Sequence, residues 1–353
     1  MTTKLTASRF LVMARHFSTH AAHSGLLPLV AGLPHTQIKG RERSLWRYPS
    51  RFQWFRQRVF EKSRHLYGHQ SASRETGAIL RMARSRSPGL VMYLWGDFDY
   101  LYGGRFARRF GWQTAAWFHT VPALLPQFIP APQSLRYLDL VFCVSRSQIP
   151  FFQQHLPAER VHFLPLGVDT DYFTPDETIP YRPLCLFVGS TLRDYALFKA
   201  VCERIRAQLP TVELIAVLPP KAVKRMPDIP GLLIQTEVND DTLRHYYRTA
   251  SLLLLPLEDC SSSISLTESI ACGTPVVTNR VGGVPDYLDE SCAFLHPPGD
   301  AEGMAESALC LLTDSVLNQR MRHAARAHAL NFSWEKIQAR LLALYQEVLG
   351  VVP

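Results

Sequence analysis

The sequence predicts an α/β protein with two doubly wound domains, in which each parallel sheet carries helices on both faces. Two observations support this prediction. Short apolar runs alternate with helix-like segments along the chain, and each run suits a strand that is buried on both faces. The chain has 353 residues, which is long enough to build two substantial cores.

In the first half of the chain, each predicted strand is an apolar run bounded by polar or turn residues. A helix is expected from about Tyr100 to Phe110, and Ser145 is a natural N-cap for the helix after it. The predicted strands are Phe10–Ala14, Leu90–Trp95, Thr114–Phe118, Leu138–Val144 and Val161–Leu164.

The second half of the chain repeats the pattern. Helices are predicted over residues 196–208, over 239–250, where Asn239 supplies N-cap chemistry, and over 264–272, where Gly273 stops the helix. The predicted strands are Leu184–Val188, Val212–Leu218, Leu252–Leu255 and Pro275–Thr278. The loop after Leu255 therefore lies at the carboxyl end of a parallel sheet, where such sheets bind ligands.

The charge is concentrated in the first half. Residues 1–177 carry 22 Lys and Arg against 11 Asp and Glu, a net +11; the rest carry 16 against 19, or −3, which together give +8. Many of these cations lie between Lys39 and Arg86 among aromatic residues, and a helix starting near Ser50 would be amphipathic. This segment fits either a core stripe with a solvated face or a patch on an anionic membrane surface. No nucleic-acid-binding motif accompanies it.

The sequence favours a cytoplasmic protein, with peripheral attachment to the inner face of the membrane as an alternative. No apolar run approaches the roughly 20 residues that cross a bilayer. The first apolar segment, Phe10–Ala14, has no cleavage site after it, so we interpret it as a strand; the lack of acidic residues before Glu42 also fits a transit peptide. The 7 cysteines are an odd number without a C-x-x-C pair, which fits a reducing compartment.

One stretch resembles a known family. Residues 268–288 read ESIACGTPVVTNRVGGVPDYL, which looks like the hallmark segment of the retaining GT-B glycosyltransferases of family four. Their E-x7-E motif has its second glutamate at Glu268, whereas Cys260 stands at the first. Residues 164–175, LPLGVDTDYFTP, resemble the string that ends the family's first domain.

The resemblance implies a GT-B architecture of two Rossmann-like domains facing across a cleft. We expect an acceptor-side domain over residues 1–178 and a nucleotide-sugar-binding domain over 179–333. The final helix, in residues 334–353, is expected to pack back on the first domain.

The resemblance also implies a donor site. Glu268 would accept hydrogen bonds from the ribose hydroxyls, and Ser262, Ser263 and Ile264 would present backbone N–H groups to the sugar and phosphate. The alternative for Glu268 is a capping box with Ser265. Gly25 stands where the family has a small-residue turn near the phosphates; its alternative role is a helix N-cap.

Cations that stabilise the leaving diphosphate are expected after the strand Leu184–Val188. The family usually has an arginine directly after the glycine and a lysine six residues later, but here Ser190 follows Gly189. Arg193 and Lys199 keep the spacing and are the predicted catalytic cations. The alternative for Lys199 is a solvated helix residue.

His119 is the third predicted catalytic residue. It follows the strand Thr114–Phe118 and matches a family histidine that faces the donor sugar, although a lone histidine is more often structural. Asp97 is a further candidate, for orienting an acceptor hydroxyl.

These residues predict a retaining glycosyltransferase that uses a nucleotide-diphosphate sugar and a hydroxyl acceptor on a glycan, a lipid or a small molecule. No metal or other cofactor is expected, since no cluster has metal-ligand spacing and the leaving phosphate can take the acceptor proton. The alternative is a degenerate GT-B protein that binds a nucleotide sugar or glycan without turnover, because Cys260 cannot make the charged contact of a glutamate.

Overall fold

The computed structural model describes residues 3–15, 23, 25–39, 69–129 and 131–353. They divide into two compact units. The first unit contains Met1–His16, Leu26–Pro165 and Ile337–Pro353, and the second contains Phe17–Gly25 and Leu166–Lys336. The helix predicted near Ser50 lies outside the described residues. The domain boundaries predicted after residues 178 and 333 stay a prediction.

The first unit is built on a six-stranded parallel sheet in the order β3-β2-β4-β5-β6-β7. All residues of β2, β4 and β6 are buried, as expected for strands covered on both faces. The strands are β2 Phe10–Met13, β3 Thr36–Ile38, β4 Leu90–Tyr93, β5 Gln113–Phe118, β6 Leu140–Cys143 and β7 Val161–Phe163.

Among the described residues of the first unit, five α-helices accompany this sheet. They are α1 His69–Arg84, α2 Gly96–Asp99, α3 Gly103–Arg109, α4 Leu125–Phe128 and α5 Ile149–Gln153. The helix expected from Tyr100 to Phe110 is observed as α3, which begins three residues later, and α2 precedes the predicted start. Ser145 caps the 3-10 turn Arg146–Gln148 in a capping box with Gln148, which confirms its predicted role.

Residues from the end of the chain complete the first unit. Helix α12, Trp334–Leu344, continues as a π-helical turn, Tyr345–Leu349. The last strand, β14 (Val351–Val352), pairs in parallel with β1 (Thr3–Lys4). The side-chain amide of Gln338 donates to the carbonyls of Leu29 and Ala31 at 2.9 Å.

The second unit has a six-stranded parallel sheet in the order β10-β9-β8-β11-β12-β13. The order reverses between β8 and β11, and ligands bind beside such a switch point in other open α/β sheets. The strands are β8 Arg182–Val188, β9 Glu213–Val217, β10 Leu232–Gln235, β11 Ala250–Leu255, β12 Val276–Asn279 and β13 Ala293–His296.

Four helices of the second unit begin at a side-chain cap. The side chains of Asp194, Asn239, Asp300 and Asp314 each accept a backbone N–H of the helix that they precede. The helices are α6 Tyr195–Gln208, α7 Asp240–Thr249, α8 Ile264–Ala271, α9 Val284–Tyr287, α10 Ala301–Thr313 and α11 Ser315–Ala329.

All 7 cysteines are free thiols, and only Cys310 is exposed. In the part of the chain that the structure describes, no helix is both long enough and apolar enough to span a bilayer.

Candidate functional site

The candidate site lies at the carboxyl edge of the second sheet. Because β8, β9, β11 and β12 are parallel, the loops that follow them gather at one edge. Backbone hydrogen bonds join these loops. The Gly189 N–H donates to the Val217 carbonyl at 2.9 Å, and the Gly283 N–H donates to the Cys260 carbonyl at 2.6 Å.

Glu268 lies inside helix α8, one turn beyond its start. Helix α8 begins at Ile264 with Ser263 as N-cap and no side-chain capping bond, so the capping-box alternative for Ser265 and Glu268 is wrong. Glu268 is 3% exposed, and its Oε2 accepts a hydrogen bond from the Tyr247 hydroxyl at 3.0 Å. The carboxylate is therefore held by a tertiary contact.

Tyr247 fixes one oxygen of this carboxylate. It lies on α7 and is fully buried, and its carbonyl accepts a hydrogen bond from the Thr274 hydroxyl. Burial, and secondarily the neighbouring Glu268, raise the pKa of the Tyr247 phenol well above its ordinary value, so the hydroxyl keeps its proton as a donor.

Ser262, Ser263 and Ile264 form the approach to helix α8 and its first residue. Ser263 is buried and extended, whereas Ser262 and Ile264 are half-buried. The first N–H groups of a helix have no partner within it, and with the helix dipole they favour an anion. The structure thus brings these three residues to the N-terminal end of the short helix that carries Glu268.

Arg193 lies beside the start of α8. It is 6% exposed, and its guanidinium donates to the Val188 and Thr191 carbonyls. Its Nη2 also lies 3.3 Å from Ser263 Oγ and 3.4 Å from Ser265 Oγ. Burial lowers the pKa of Arg193, and within the described residues no carboxylate forms an ion pair with it. A buried cation therefore lies behind the α8 N-terminus.

Gly189 makes room for this guanidinium. Its φ is +83°, and a Cβ there would lie 3.0 Å from Arg193 Nη2. Three residues further, Leu192 has a φ of 53°, a conformation that costs a non-glycine residue about 1 kcal/mol. The loop then returns to the sheet through a bridge between Arg193 and Leu257.

Cys260 occupies the place of the first motif glutamate. It is 5% exposed, and burial raises the pKa of its thiol to about 12. A Cβ on Gly282, whose φ is +47°, would lie 2.1 Å from the Cys260 carbonyl oxygen. Gly282 therefore packs directly against the Cys260 backbone. At neutral pH the site therefore has a neutral thiol where the family has a carboxylate.

Lys199 projects from the second turn of α6. Its side chain is 40% exposed, and its Nζ lies 3.7 Å from Glu203 one turn later. Among the described residues, its ion pair is with Glu203, and no hydrogen bond or ion pair joins it to Arg193 or Glu268. Its proposed role as a diphosphate ligand stays a prediction, and the observed ion pair fits the solvated-helix alternative.

His119 belongs to the first unit, where it follows β5. Its Nε2 lies 2.8 Å from the Leu94 carbonyl, and its ring packs between Trp95 and Trp117 with centroids 4.3 and 4.9 Å away. The buried Asp97 carboxylate accepts the His119 N–H at 2.6 Å, and burial raises the pKa of Asp97 to about 6. Asp97 therefore positions the His119 backbone.

Gly25 lies in the second unit. It precedes the 3-10 turn Leu27–Val30, whose N-cap is Leu26, so the N-cap alternative for Gly25 is wrong. Nearby in sequence, His23 bonds Asp169 at 2.7 Å between Nδ1 and Oδ2.

A group of possible metal ligands lies elsewhere in the second unit. Asp289, Cys292 and His328 have ligand atoms within 4.8 Å of one another. His328 already contacts the Asp289 carboxylate at 3.2 Å and the Tyr287 carbonyl at 3.0 Å. Because His328 is distant from Asp289 and Cys292 in sequence, the three residues do not form a recognisable metal-binding motif.

Sequence reasoning missed two residues at the site, Tyr247 and Arg225. Tyr247 lies in a segment predicted only as a helix, and nothing in its spacing points to Glu268. Arg225 follows β9, and its guanidinium reaches the carbonyl of Ser190 at 3.3 Å. The proximity of Tyr247 and Arg225 to the site depends on the order of the strands in the sheet, which cannot be read from the sequence.

The second unit is similar to known proteins. Residues 182–314 match the family model described as "Glycosyl transferases group 1". The chain is 30% identical over 222 residues to the D-inositol 3-phosphate glycosyltransferase of Xylanimonas cellulosilytica, covering 54% of this chain and 52% of the relative. It is 25% identical over 205 residues to the MMP alpha-(1->4)-mannosyltransferase of Mycolicibacterium hassiacum, covering 55% and 50%. The chain spans about half the length of these two relatives.

Solved structures extend the likeness to nearly the whole chain. The sucrose-phosphate synthase of Thermosynechococcus elongatus superposes with a TM-score of 0.69 at 16% identity, covering 97% of this chain and 99% of that one. The Anabaena protein Alr3699/HepE in complex with UDP and glucose gives 0.67 at 13% identity, covering 94% and 98%. The predicted GT-B fold of two Rossmann-like units is confirmed.

Proposed function

Because residues 182–314 form a group 1 glycosyltransferase domain, we propose that the protein is a retaining glycosyltransferase. It transfers a sugar from a nucleotide-diphosphate sugar to a hydroxyl of a glycan, a lipid or a small molecule. The observation that carries this proposal is the arrangement of Glu268, the α8 N-terminus and buried Arg193 at one sheet edge. The Anabaena neighbour, solved with UDP and glucose, supports a diphosphate donor.

The chemistry follows from the charges at this edge. When the bond between the anomeric carbon and the diphosphate breaks, the electron pair goes to the phosphate oxygen. The α8 N–H groups and the positive field of Arg193 stabilise that charge. Glu268 accepts hydrogen bonds from the ribose hydroxyls and so orients the donor. The acceptor oxygen bonds the anomeric carbon on the same face, and its proton passes to the leaving phosphate.

His119 is proposed to hydrogen-bond the donor sugar or the acceptor, and Gly25 to lie near the phosphates. Lys199 remains a proposed second cation for the diphosphate. No metal or other cofactor is part of this proposal, because fixed cations and N–H groups can supply the charge stabilisation.

A nucleotide screen tests the donor class. UDP, GDP and ADP are each added to the protein at about 100 times a micromolar Kd, and the thermal midpoint is recorded. We expect one diphosphate to stabilise the folded state by about 2.7 kcal/mol, since it binds the native state only. The screen contradicts the proposal when none of the three shifts the midpoint.

The alternative function is binding of a nucleotide sugar or glycan without turnover. The neutral, buried Cys260 thiol favours it, because it cannot replace a carboxylate as a hydrogen-bond acceptor. Measurement of nucleotide release in the presence of glycan, lipid and small-molecule acceptors separates the two functions. Nucleotide binding without release across these acceptors favours the alternative.

We further propose that the first unit attaches the protein to an anionic membrane surface on the cytoplasmic side. Helices α1 and α3 are joined by the buried Glu75, which accepts the Gly103 N–H at 2.8 Å. The exposed apolar side chains Leu80 (45%) and Phe106 (37%) lie on these helices. Exposed cations on and just after them are Arg81, Arg84, Arg86, Arg105, Arg108 and Arg109. Cations around apolar anchors fit anionic lipid headgroups.

Liposome flotation tests this attachment. We expect binding to phosphatidylglycerol vesicles to fall at least about tenfold when salt rises from about 50 to about 500 mM, since surface charges are screened. The double variant Arg105→Glu and Arg109→Glu should float no better with these vesicles than with phosphatidylcholine. The matched control is Arg204→Glu with Arg320→Glu, two exposed arginines of the second unit. Equal flotation of both double variants would refute this surface.

A further inference from the structure

Arg225 ends a short segment at the same sheet edge as the candidate site. The 3-10 helix Pro220–Arg225 follows β9, and β9 pairs with β8 in parallel. The Arg225 Nη1 donates to the Ser190 carbonyl at 3.3 Å, and its guanidinium carbon lies 4.9 Å from the centre of the Tyr195 ring. The guanidinium is therefore held beside the loop that begins at Gly189.

This position coincides with a gap in the family pattern. The pattern has an arginine directly after the glycine that ends β8, and this chain has Ser190 there. Arg225 comes from a different loop and reaches the backbone of that same residue. An arginine from the loop after β9 therefore lies at the backbone of Ser190.

Arg225 and Arg193 differ in what they can contact. Arg193 is buried, and its guanidinium is engaged by the Val188 and Thr191 carbonyls and two serine hydroxyls. Arg225 is exposed, and within the described residues no carboxylate forms an ion pair with it. Lys221 and Lys224 on the same segment are also exposed, so the local charge is positive. Of these two arginines, Arg225 is therefore the one that is accessible to an anion from solution.

We propose that Arg225 contacts the diphosphate of the donor directly, while Arg193 acts from behind by holding the β8 loop and the α8 N-terminus. This inference rests on the proposed function, because the anion is the diphosphate of a nucleotide sugar. A guanidinium can hold two phosphate oxygens with parallel hydrogen bonds, which a lysine cannot reproduce. Packing on Tyr195 and the bond to Ser190 reduce the side-chain freedom lost on binding.

Calorimetry on the full chain tests the inference. The probes are whichever of UDP, GDP and ADP the wild type binds, the matching monophosphate and the nucleoside. We expect Arg225→Ala to weaken diphosphate binding at least about tenfold, with nucleoside binding unchanged within about twofold. Arg225→Lys should recover only part of the loss. The matched control, Lys224→Ala, removes an exposed cation from the neighbouring position and should stay within about twofold of the wild type.

Other results of this experiment would overturn either the inference about Arg225 or the proposed function. Diphosphate binding by Arg225→Ala at the wild-type level would overturn the inference. An equal loss of affinity for the diphosphate and the nucleoside would also overturn it, because Arg225 would then contact the nucleoside rather than the phosphates. A loss in Lys224→Ala as large as in Arg225→Ala would also overturn it, because general surface charge would then suffice. If the wild type binds none of the nucleotides, the proposed function itself fails. Far-UV circular dichroism and thermal midpoints confirm that each variant is folded.

Discussion

Replacing Arg193 with alanine should lower the free energy of unfolding by about 3 kcal/mol, because buried carbonyls lose a charged donor and a cavity remains. The guanidinium ties the Val188 carbonyl at the end of β8 to Ser263 and Ser265 at the start of α8. Its loss should therefore also abolish measurable nucleotide binding, through disorder of the loop rather than loss of one contact. Urea denaturation measures the change in the free energy of unfolding, provided that the wild type and the variant have the same m-value.

The control for this prediction is Arg225→Ala, an arginine at the same edge whose side chain is exposed. It should change the free energy of unfolding by no more than about 0.5 kcal/mol. Arg193→Lys keeps the charge but lacks the fork that spans two carbonyls and two hydroxyls, so its stability should lie between those of the wild type and Arg193→Ala. An unfolding free energy of Arg193→Ala equal to that of the wild type would show that the network contributes nothing.

Replacing Glu268 with alanine should weaken nucleoside diphosphate binding by about 10- to 100-fold, the range for hydrogen bonds to a charged acceptor. The sharper measurement compares the binding of a ribonucleoside diphosphate with that of its 2′-deoxy and 3′-deoxy analogues. The wild type should prefer the ribose form, whereas Glu268→Ala should bind all three alike, since the carboxylate that reads the hydroxyls is gone. Equal preference for ribose in both proteins would remove Glu268 from the donor site.

Tyr247→Phe is the matched variant for Glu268. It leaves the carboxylate in place and removes only the hydroxyl that donates to Oε2 at 3.0 Å. Ribose preference should therefore fall less than in Glu268→Ala. The same variant should lose about 1–3 kcal/mol of stability, because a buried acceptor loses its donor. A purely structural role for the pair predicts the stability loss without any change in ribose preference.

Much of the fold could be predicted from local patterns. Buried apolar runs gave strands such as β4 and β11 to within two residues, because strands covered on both faces are continuously apolar. Asn239 caps α7 as predicted, and α8 ends just before Gly273, whose φ is +74°. These features depend on interactions between residues that are close in sequence, so local sequence patterns can predict them.

The site could be predicted only in part, because its contacts join distant segments. The resemblance directed attention to Glu268 and the start of α8, which do lie together. Spacing could not indicate that Arg193 is turned into the protein, since this depends on the left-handed Leu192 and the bridge to Leu257. Nor could it bring Arg225 to Ser190, because that contact needs β9 beside β8.

The first unit takes residues from both sides of the second, since β14 pairs with β1 and Gln338 bonds Leu29 and Ala31. A ribosome releases residues 166–336 before it releases 337–353. The second unit can thus close its core during synthesis, whereas the first unit must wait for the last helical turns and β14. Translational pausing or premature termination near residue 336 would accordingly leave a folded second unit attached to an incomplete first unit.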